Sequence, residues 1–126
     1  MKRAYRVAGL IGVVVIVILG VAWANVIWYQ GRRFSRCGSA MGPLLAGQAT
    51  RAEVARALGG QAYASYSQAQ AEDLAKLARG WNQKVEFIRA QASVSPSTDV
   101  VLVGDMVHFV FYDAAARVRG YVCVGN

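Results

Sequence analysis

Residues 106–126 read MVHFVFYDAAARVRGYVCVGN, and this stretch decides how the rest of the chain is interpreted. Side chains alternate in character as far as Tyr112, Asp113 begins a turn, and the alternation resumes over residues 117–124. A period of two predicts antiparallel strands that are joined by short turns. The β-branched run DVVLV before Gly104 predicts one more strand. The sequence therefore predicts a three-stranded antiparallel β-meander in this part of the chain.

The middle strand of this meander has two chemically different faces. Val107, Phe109 and Phe111 share one face, and we expect helices to cover it, since a small sheet needs a cover to bury enough apolar area. The opposite face is aromatic and is predicted to bind a partner protein if it is uncovered. Its predicted partner-binding residues are Met106, His108, Val110, Tyr112 and, from the last strand, Tyr121.

A short helix is predicted over residues 50–60. Thr50 and Glu53 have the spacing of a capping box, in which the hydroxyl accepts from one amide and the carboxylate accepts from the other. Gly59 provides the left-handed residue that ends many helices. A helix of this length is marginal on its own, so we expect it to pack on the sheet.

A longer helical segment is predicted to follow, beginning at a second capping box formed by Ser67 and Gln70. Apolar residues recur along it at helical spacing, which predicts one buried stripe. The stripe consists of Leu74, Leu77, Ala78, Trp81, Val85 and Ile88. Gly80 weakens the middle of the segment and allows a break into two shorter helices, and Pro96 ends it. The predicted fold class is α+β, with two helices packed on the three-stranded meander.

The N-terminal part of the chain predicts a transmembrane helix. Residues 7–31 contain no charged side chain, and as a helix they extend about 37 Å, which exceeds the ~30 Å of a bilayer core. Aromatic and basic residues near the end of this run are predicted to anchor it at the membrane surface. The predicted anchor residues are Trp23, Trp28, Tyr29, Arg32 and Arg33. A cleaved signal peptide, with Ala22 and Ala24 before the cleavage point, is the alternative, although the apolar run continues beyond them.

The two cysteines of the chain, Cys37 and Cys123, bear on its location. Two cysteines in a small domain outside the membrane suit an oxidising compartment, which predicts a Cys37–Cys123 disulfide and a periplasmic domain. Two buried free thiols are the alternative. Basic residues flank both ends of the apolar run, so the cysteines favour a cytoplasmic N-terminus more than the charges do. Alternation along the last strand predicts that Val118, Val122 and Val124 lie on the face opposite Cys123.

These patterns divide the chain into three predicted parts. Residues 1–31 are a transmembrane anchor, residues 32–43 are a basic juxtamembrane linker, and residues 44–126 are a small extracytoplasmic α+β domain. The net charge is +7, but residues 32–126 contain eleven Lys and Arg against seven Asp and Glu, which leaves this part near +4. The basic residues do not cluster with exposed aromatic residues, so we predict no nucleic acid as a partner.

The sequence contains no recognisable reactive set. His108 is the only histidine and lies in the middle of a predicted strand. A zinc site needs three or four ligands at workable spacing, and one histidine with two cysteines 86 positions apart does not supply a motif. No glycine-rich phosphate loop is present in the sequence. We therefore predict a protein that is not an enzyme and that has no cofactor, no metal and no small-molecule substrate.

Two stretches resemble a family of small envelope domains. The first, GQATRAEVARALGG, contains Gly47, Thr50, Val54, Leu58 and Gly59. The second, VHFVFYDAAARVRGYVCVG, contains Phe109, Phe111, Asp113, Val118 and Tyr121. Together they resemble the BamE (SmpA/OmlA) type, which implies helices on one face of a three-stranded sheet, an extracytoplasmic location and the binding of other proteins. The lipidated cysteine of that family's assembly-machine lipoprotein is replaced here by the predicted transmembrane helix.

The sequence as a whole predicts a single-pass protein of the bacterial inner membrane, with a cytoplasmic N-terminus and a periplasmic domain. We expect a non-enzymatic accessory or assembly subunit whose partners are an integral membrane protein complex and the lipid bilayer. The alternative is a membrane-tethered inhibitor or immunity-type protein that binds an envelope enzyme or channel. Both functions depend on protein–protein contacts, so the identity of co-purifying proteins distinguishes them.

Overall fold

The computed structural model describes residues 2–60, 62–80 and 84–125. The architecture is α+β, as predicted: a long N-terminal helix is followed by shorter helices and an antiparallel sheet. In chain order the elements are α1 (Lys2–Ala46), α2 (Arg51–Leu58), β1 (Ala64–Ser67), a 3-10 turn (Gln68–Gln70), α3 (Ala71–Arg79), α4 (Val85–Val94), β2 (Ser97–Val103), β3 (Met106–Tyr112) and β4 (Val118–Gly125).

The sheet has four strands in the order β1–β2–β3–β4, each antiparallel to its neighbour, whereas the sequence predicts three. The additional strand, β1, has the sequence ASYS and pairs with β2 in a register that sets Ser65 opposite Asp99. Ala64 and Tyr66 alternate with two serines, but four residues are too few for this period to distinguish a strand from a loop. Its pairing is reinforced by the Ser65 hydroxyl, which donates a hydrogen bond to the Asp99 carboxylate at 2.7 Å.

One face of the sheet is covered by α3 and α4 and is called here the α3–α4 face. Val107, Phe109 and Phe111 of β3 are buried in it, as the alternation of that strand predicts. The residues of the predicted helical stripe that pack there are Leu74, Leu77, Ala78, Val85 and Ile88. Trp81, the remaining member of the stripe, lies outside the described residues. This face has the composition of an ordinary apolar core.

The predicted long helical segment forms two helices rather than one. The first, α3, ends at Arg79 and the second, α4, begins at Val85, on the two sides of the region where Gly80 allows a break. Lys84, immediately before α4, has a left-handed backbone with φ of 50°, which a continuous right-handed helix does not contain. The two shorter helices together cover the face that the single helix is predicted to cover.

The opposite face of the sheet is also covered, by α2 and by the C-terminal part of α1, and is called here the α1–α2 face. This corrects the prediction that α2 packs with the other helices on the Val107 side. Cys37 and Met41 of α1 and Val54 of α2 are buried on it. The buried strand residues of this face are Val101, Met106, Val110, Tyr112, Val118 and Cys123. The sheet therefore lies between two helical layers.

A bulge in β4 explains why Val118 belongs to the α1–α2 face. The pairing of β3 with β4 shifts between Phe111 and Tyr112, and Arg119 is the extra residue. One extra residue reverses the alternation of side chains along a strand. Val118 therefore lies on the same side as Cys123, which corrects the prediction that the two lie on opposite sides. The Arg119 guanidinium donates to the last carbonyl of α4 at 2.6 Å.

α2 begins and ends where the sequence predicts, and the structure shows the hydroxyl half of the Thr50–Glu53 capping box. The Glu53 amide donates to the Thr50 hydroxyl at 3.3 Å, which satisfies one of the free amides at the start of the helix. Gly59 has φ of 80°, and the next amide, of Gly60, donates to the Ala55 carbonyl at 3.0 Å. This arrangement ends the helix and turns the chain back toward β1.

The segment 32–43, predicted as a linker, is helical throughout because α1 continues to Ala46. The chain divides into two compact units, Met1–Ser35 and Arg36–Asn126. Cys37 and Met41 are four residues apart, so they lie on one side of the helix, and both are buried in the second unit. The last turns of α1 are thus part of the core of the domain.

Candidate functional site

The first candidate site is the apolar part of α1. Every residue from 2 to 32 is exposed within its unit, including large apolar side chains such as Ile16 and Leu19. Among the described residues, α1 is the one helix long and apolar enough to cross a membrane by length and composition. A continuous apolar surface of this extent marks a site of interaction with lipid or with another protein.

The predicted anchor residues lie at the C-terminal end of this apolar run. The Arg32 guanidinium lies 4.5 Å from the ring centroid of Trp28, and that of Arg33 lies 5.7 Å from the ring of Tyr29. Each pair is four residues apart, so cation and ring occupy neighbouring turns. Trp23 is exposed earlier on the same helix. Rings that face apolar surroundings with cations beside them are typical of the level of the lipid headgroups.

The predicted partner-binding face has a different role in the structure. Met106, His108, Val110 and Tyr112 are buried beneath α1 and α2, with at most 6% of each residue exposed, and Tyr121 is half-buried. The partner that covers the aromatic face is therefore the chain itself. The prediction of partner binding required these side chains to be exposed. The four β3 residues are not exposed, because the segment predicted as a linker is a helix that packs on them.

Beneath α1, the structure brings together three side chains that are far apart in the sequence. Cys37 on α1 and Cys123 on β4 are joined by a disulfide, with their Cα atoms 6.5 Å apart. His108 on β3 is the direct register partner of Cys123, and its Nδ1 lies 3.8 Å from the Cys37 Sγ. The ligand atoms of all three residues lie within 4.8 Å of one another. This cluster is called here the Cys–His–Cys triad.

Burial determines the chemistry of the Cys–His–Cys triad. It lowers the pKa of His108, which keeps the imidazole neutral at neutral pH. Sulfurs joined in a disulfide carry no charge and make no nucleophile, so in this state the triad is a crosslink beside a neutral ring. The separation of 86 positions does not keep the two cysteines and the histidine apart, which corrects the argument against a shared site.

A second polar cluster lies at the edge of the α1–α2 face. Asp99 on β2 is 5% exposed, and its two carboxylate oxygens have different partners. One oxygen accepts from the Ser65 hydroxyl at 2.7 Å, and the other lies 3.1 Å from the Arg51 Nε in an ion pair. These residues line an open cleft together with Ala52, Ala55 and Ala62. Because both oxygens are occupied, Asp99 ties β1, β2 and α2 together rather than presenting a free base.

Tyr112 completes this polar cluster from the side of the core. The Arg51 guanidinium lies 4.7 Å from the centroid of the Tyr112 ring. The same cation therefore contacts both the Asp99 carboxylate and the Tyr112 ring. Burial, with the charge of Asp99, raises the pKa of Tyr112 to about 12, and Arg51 opposes this shift. The phenol therefore stays protonated at neutral pH.

The structure contains the predicted Cys37–Cys123 disulfide, but sequence reasoning missed His108 beside it and missed the cluster around Asp99. The spacing of Cys37 and Met41 is a signal for a buried helical side in the supposed linker, and it predicts that this segment packs on the sheet. The register of β3 with β4, which sets His108 opposite Cys123, follows from the turn between them. Asp99 gives no such signal, because its burial depends on β1, and β1 is itself unpredicted.

Comparison of the chain with known protein families, with characterised proteins and with solved structures found no match. The resemblance to BamE-type domains therefore remains an expectation.

Proposed function

We propose that the protein is a single-pass membrane protein whose domain lies outside the cytoplasm and acts as a non-enzymatic accessory or assembly subunit of a larger membrane protein complex. The observation that carries the proposal is the exposed apolar run of α1, together with the aromatic and basic pairs at its end. Burying this run in lipid removes a large apolar surface from water, which is the dominant favourable term in such an association.

The location of the domain is inferred from its disulfide. Disulfides persist in oxidising compartments and are rare in the cytosol, so the Cys37–Cys123 crosslink favours the periplasm of a bacterium. Cys37 follows the apolar run closely, which supports a domain on the side of the membrane where α1 would emerge. The N-terminus then lies in the cytoplasm, and the proposed location is the inner membrane.

A role in protein contacts is supported by the chemistry of the two polar clusters. In the disulfide state, the Cys–His–Cys triad has no free thiolate, and the Asp99 carboxylate is occupied by Arg51 and Ser65. Catalysis by nucleophile and base needs a free group of each kind in mutual reach. The exposed side chains of the apolar run remain as the largest surface through which membrane partners can be contacted.

The function is tested by purifying the full chain with a C-terminal tag from bacterial membranes in mild detergent. The expected result is a stoichiometric set of integral membrane proteins that co-purifies. The matched control replaces residues 2–31 with an unrelated transmembrane helix and keeps residues 32–126, which retains membrane attachment and tests whether the native run contributes contacts.

Two results would contradict the proposal. Recovery of a single soluble envelope enzyme favours a membrane-tethered inhibitor or immunity-type protein instead. Full release of the protein by alkaline carbonate extraction, with residues up to Ala24 removed from the mature chain, indicates a cleaved signal peptide and ends the membrane assignment.

A further inference from the structure

The Cys–His–Cys triad brings together three side chains that can act as metal ligands when the disulfide is reduced. Cys37, His108 and Cys123 are 3%, 3% and 7% exposed, so all three are more than nine-tenths buried. Their sulfur and nitrogen atoms lie within 4.8 Å of one another, close enough to share one ion. Each residue comes from a different element, α1, β3 and β4, and the ladder between β3 and β4 fixes two of the three.

The donor set of the triad selects a soft cation. Two cysteine sulfurs and one imidazole nitrogen are ligands that Cu(I) and Zn(II) prefer, whereas Mg(II) and Ca(II) require oxygen. Structural zinc is almost always four-coordinate, and three donors leave it one ligand short. Cu(I) is satisfied by fewer and softer donors, and the thioether of Met41 lies in the same buried cluster, one helical turn after Cys37.

We propose that the triad, once its disulfide is reduced, binds one Cu(I) ion through the sulfurs of Cys37 and Cys123 and a ring nitrogen of His108. The disulfide and the metal-bound state then exclude each other, because both use the same two sulfurs. The chain therefore holds either a crosslink or a copper ion at this point of its core, according to the redox state of its surroundings.

Conversion of the disulfide state into the copper-bound state requires a reductant, and an external dithiol supplies the electrons. The dithiol gives two electrons and two protons to the disulfide; the S–S bond breaks, two thiols form, and the dithiol becomes a cyclic disulfide. Cu(I) then displaces the protons of both thiols to solvent and forms two copper–sulfur bonds and one copper–nitrogen bond. Copper does not change its oxidation state in this sequence.

The test uses the full chain in detergent micelles without oxygen. The protein is reduced with dithiothreitol, desalted, and titrated with Cu(I) in competition with the coloured chelator bicinchoninate. We expect one Cu(I) per reduced chain and none for the matched control, the same protein with its disulfide intact. X-ray absorption at the copper edge is expected to show two sulfur neighbours and one nitrogen neighbour.

Variants separate the contributions of the three ligands. Cys37→Ser with Cys123→Ser is expected to abolish binding. His108→Asn is expected to weaken it by at least the roughly 10- to 100-fold that loss of a second-shell partner costs a metal site. Met41→Leu is expected to change it less than His108→Asn does, since the thioether is not one of the three assigned ligands.

Several results would overturn the proposal. Binding by the reduced wild type that is no tighter than that of the double serine variant removes the cysteines as ligands. Preference for Zn(II) over Cu(I) in a direct competition rejects the assigned ion. Should reduction unfold the domain, Cu(I) is expected to restore its far-ultraviolet circular dichroism, and failure to do so shows that the triad is a crosslink only.

Discussion

The two faces of the sheet are built by different chemistry. The α3–α4 face is filled mainly by aliphatic and aromatic side chains around Phe109 and Phe111, and the Thr98 side chain beside Phe111 is buried with them. The α1–α2 face contains the disulfide and Met41, with buried His108 beside the disulfide and buried Asp99 nearby. Hydrophobic burial dominates the first face, whereas the second also depends on a covalent bond and on charge pairing.

This difference bears on how the domain is connected to the apolar run of α1. The α3–α4 face is covered by helices that follow β1 in the chain, so it is local to the domain. The α1–α2 face is covered by the continuation of the helix that begins with the apolar run. Loss of the second face would therefore separate the domain from the end of α1, while loss of the first would disrupt the domain itself.

The largest effect is expected on the α3–α4 face. Phe109→Ala should lower the free energy of unfolding by about 3–5 kcal/mol, because it removes a fully buried ring and leaves a cavity. Denaturant unfolding of the full chain in detergent, followed by circular dichroism, measures the change. Tyr63→Ala is the control, because Tyr63 is 66% exposed and its loss should stay within about 0.5 kcal/mol. Equal losses in the two variants would show that this face is not a packed core.

The disulfide should have the next largest effect. Replacing Cys37 and Cys123 together with alanine is expected to cost about 2–4 kcal/mol, since the bond closes a long loop in the unfolded chain. The same denaturant experiment measures it, and wild type treated with dithiothreitol should match the variant. Sensitivity of the double alanine variant to dithiothreitol would contradict this account. A loss larger than that of Phe109→Ala would make the α1–α2 face the dominant one.

The ion pair at Asp99 should contribute less. Arg51→Ala leaves a nearly buried carboxylate with only its Ser65 partner, and the expected loss is about 1–3 kcal/mol. Arg56→Ala is the matched control on the same helix, since Arg56 is exposed and bonds only to its own helix. Thermal unfolding of both variants compares them. Similar midpoints would indicate that solvent replaces Arg51 at no cost.

The smallest effect should appear as a dependence on pH. Burial lowers the pKa of His108 below its usual 6.5. As the pH falls, His108 is therefore protonated in the unfolded chain before it is protonated in the folded chain. The free energy of unfolding is therefore unaffected by His108 above pH 6.5. Below pH 6.5 it decreases as the pH falls toward the pKa of His108 in the folded chain, by at most about 1.4 kcal/mol per pH unit. His108→Asn should flatten the profile between pH 7 and 5 in urea unfolding. An unchanged slope in that variant would assign the acid sensitivity to another group.

The sequence predicts the α3–α4 face well because its signals are local. The period of two in β3 identifies Phe109 and Phe111 as one face, and the capping box of Ser67 and Gln70 marks the start of the helical segment that covers it. Even the break near Gly80 is visible as a weak point in the helical stripe. In each case a pattern within a dozen residues determines the outcome, which is the range over which periodicity and capping act.

The α1–α2 face is harder to predict because its determinants are not local. Glycine and serine between Arg36 and Pro43 suggest a linker, yet contact with the sheet stabilises a helix there. The short strand β1 pairs only with β2 among the described strands, and its Ser65 helps to enclose Asp99. Arg119 shifts the register by one residue, and the one signal for it in β4 is the neighbouring Gly120, since a glycine inside a strand often marks a bulge.

The crosslink between Cys37 and Cys123 also times the maturation of the chain. Its two ends are 86 positions apart, and the second lies in β4, the last described strand to leave the ribosome. If the domain lies outside the cytoplasm, as we propose, a nascent chain that has not yet delivered β4 across the bilayer keeps an unpaired Cys37. On that proposed topology, oxidation occurs only after β4 has crossed the bilayer, and alkylation of arrested chains would reveal the chain length at which the free thiol disappears.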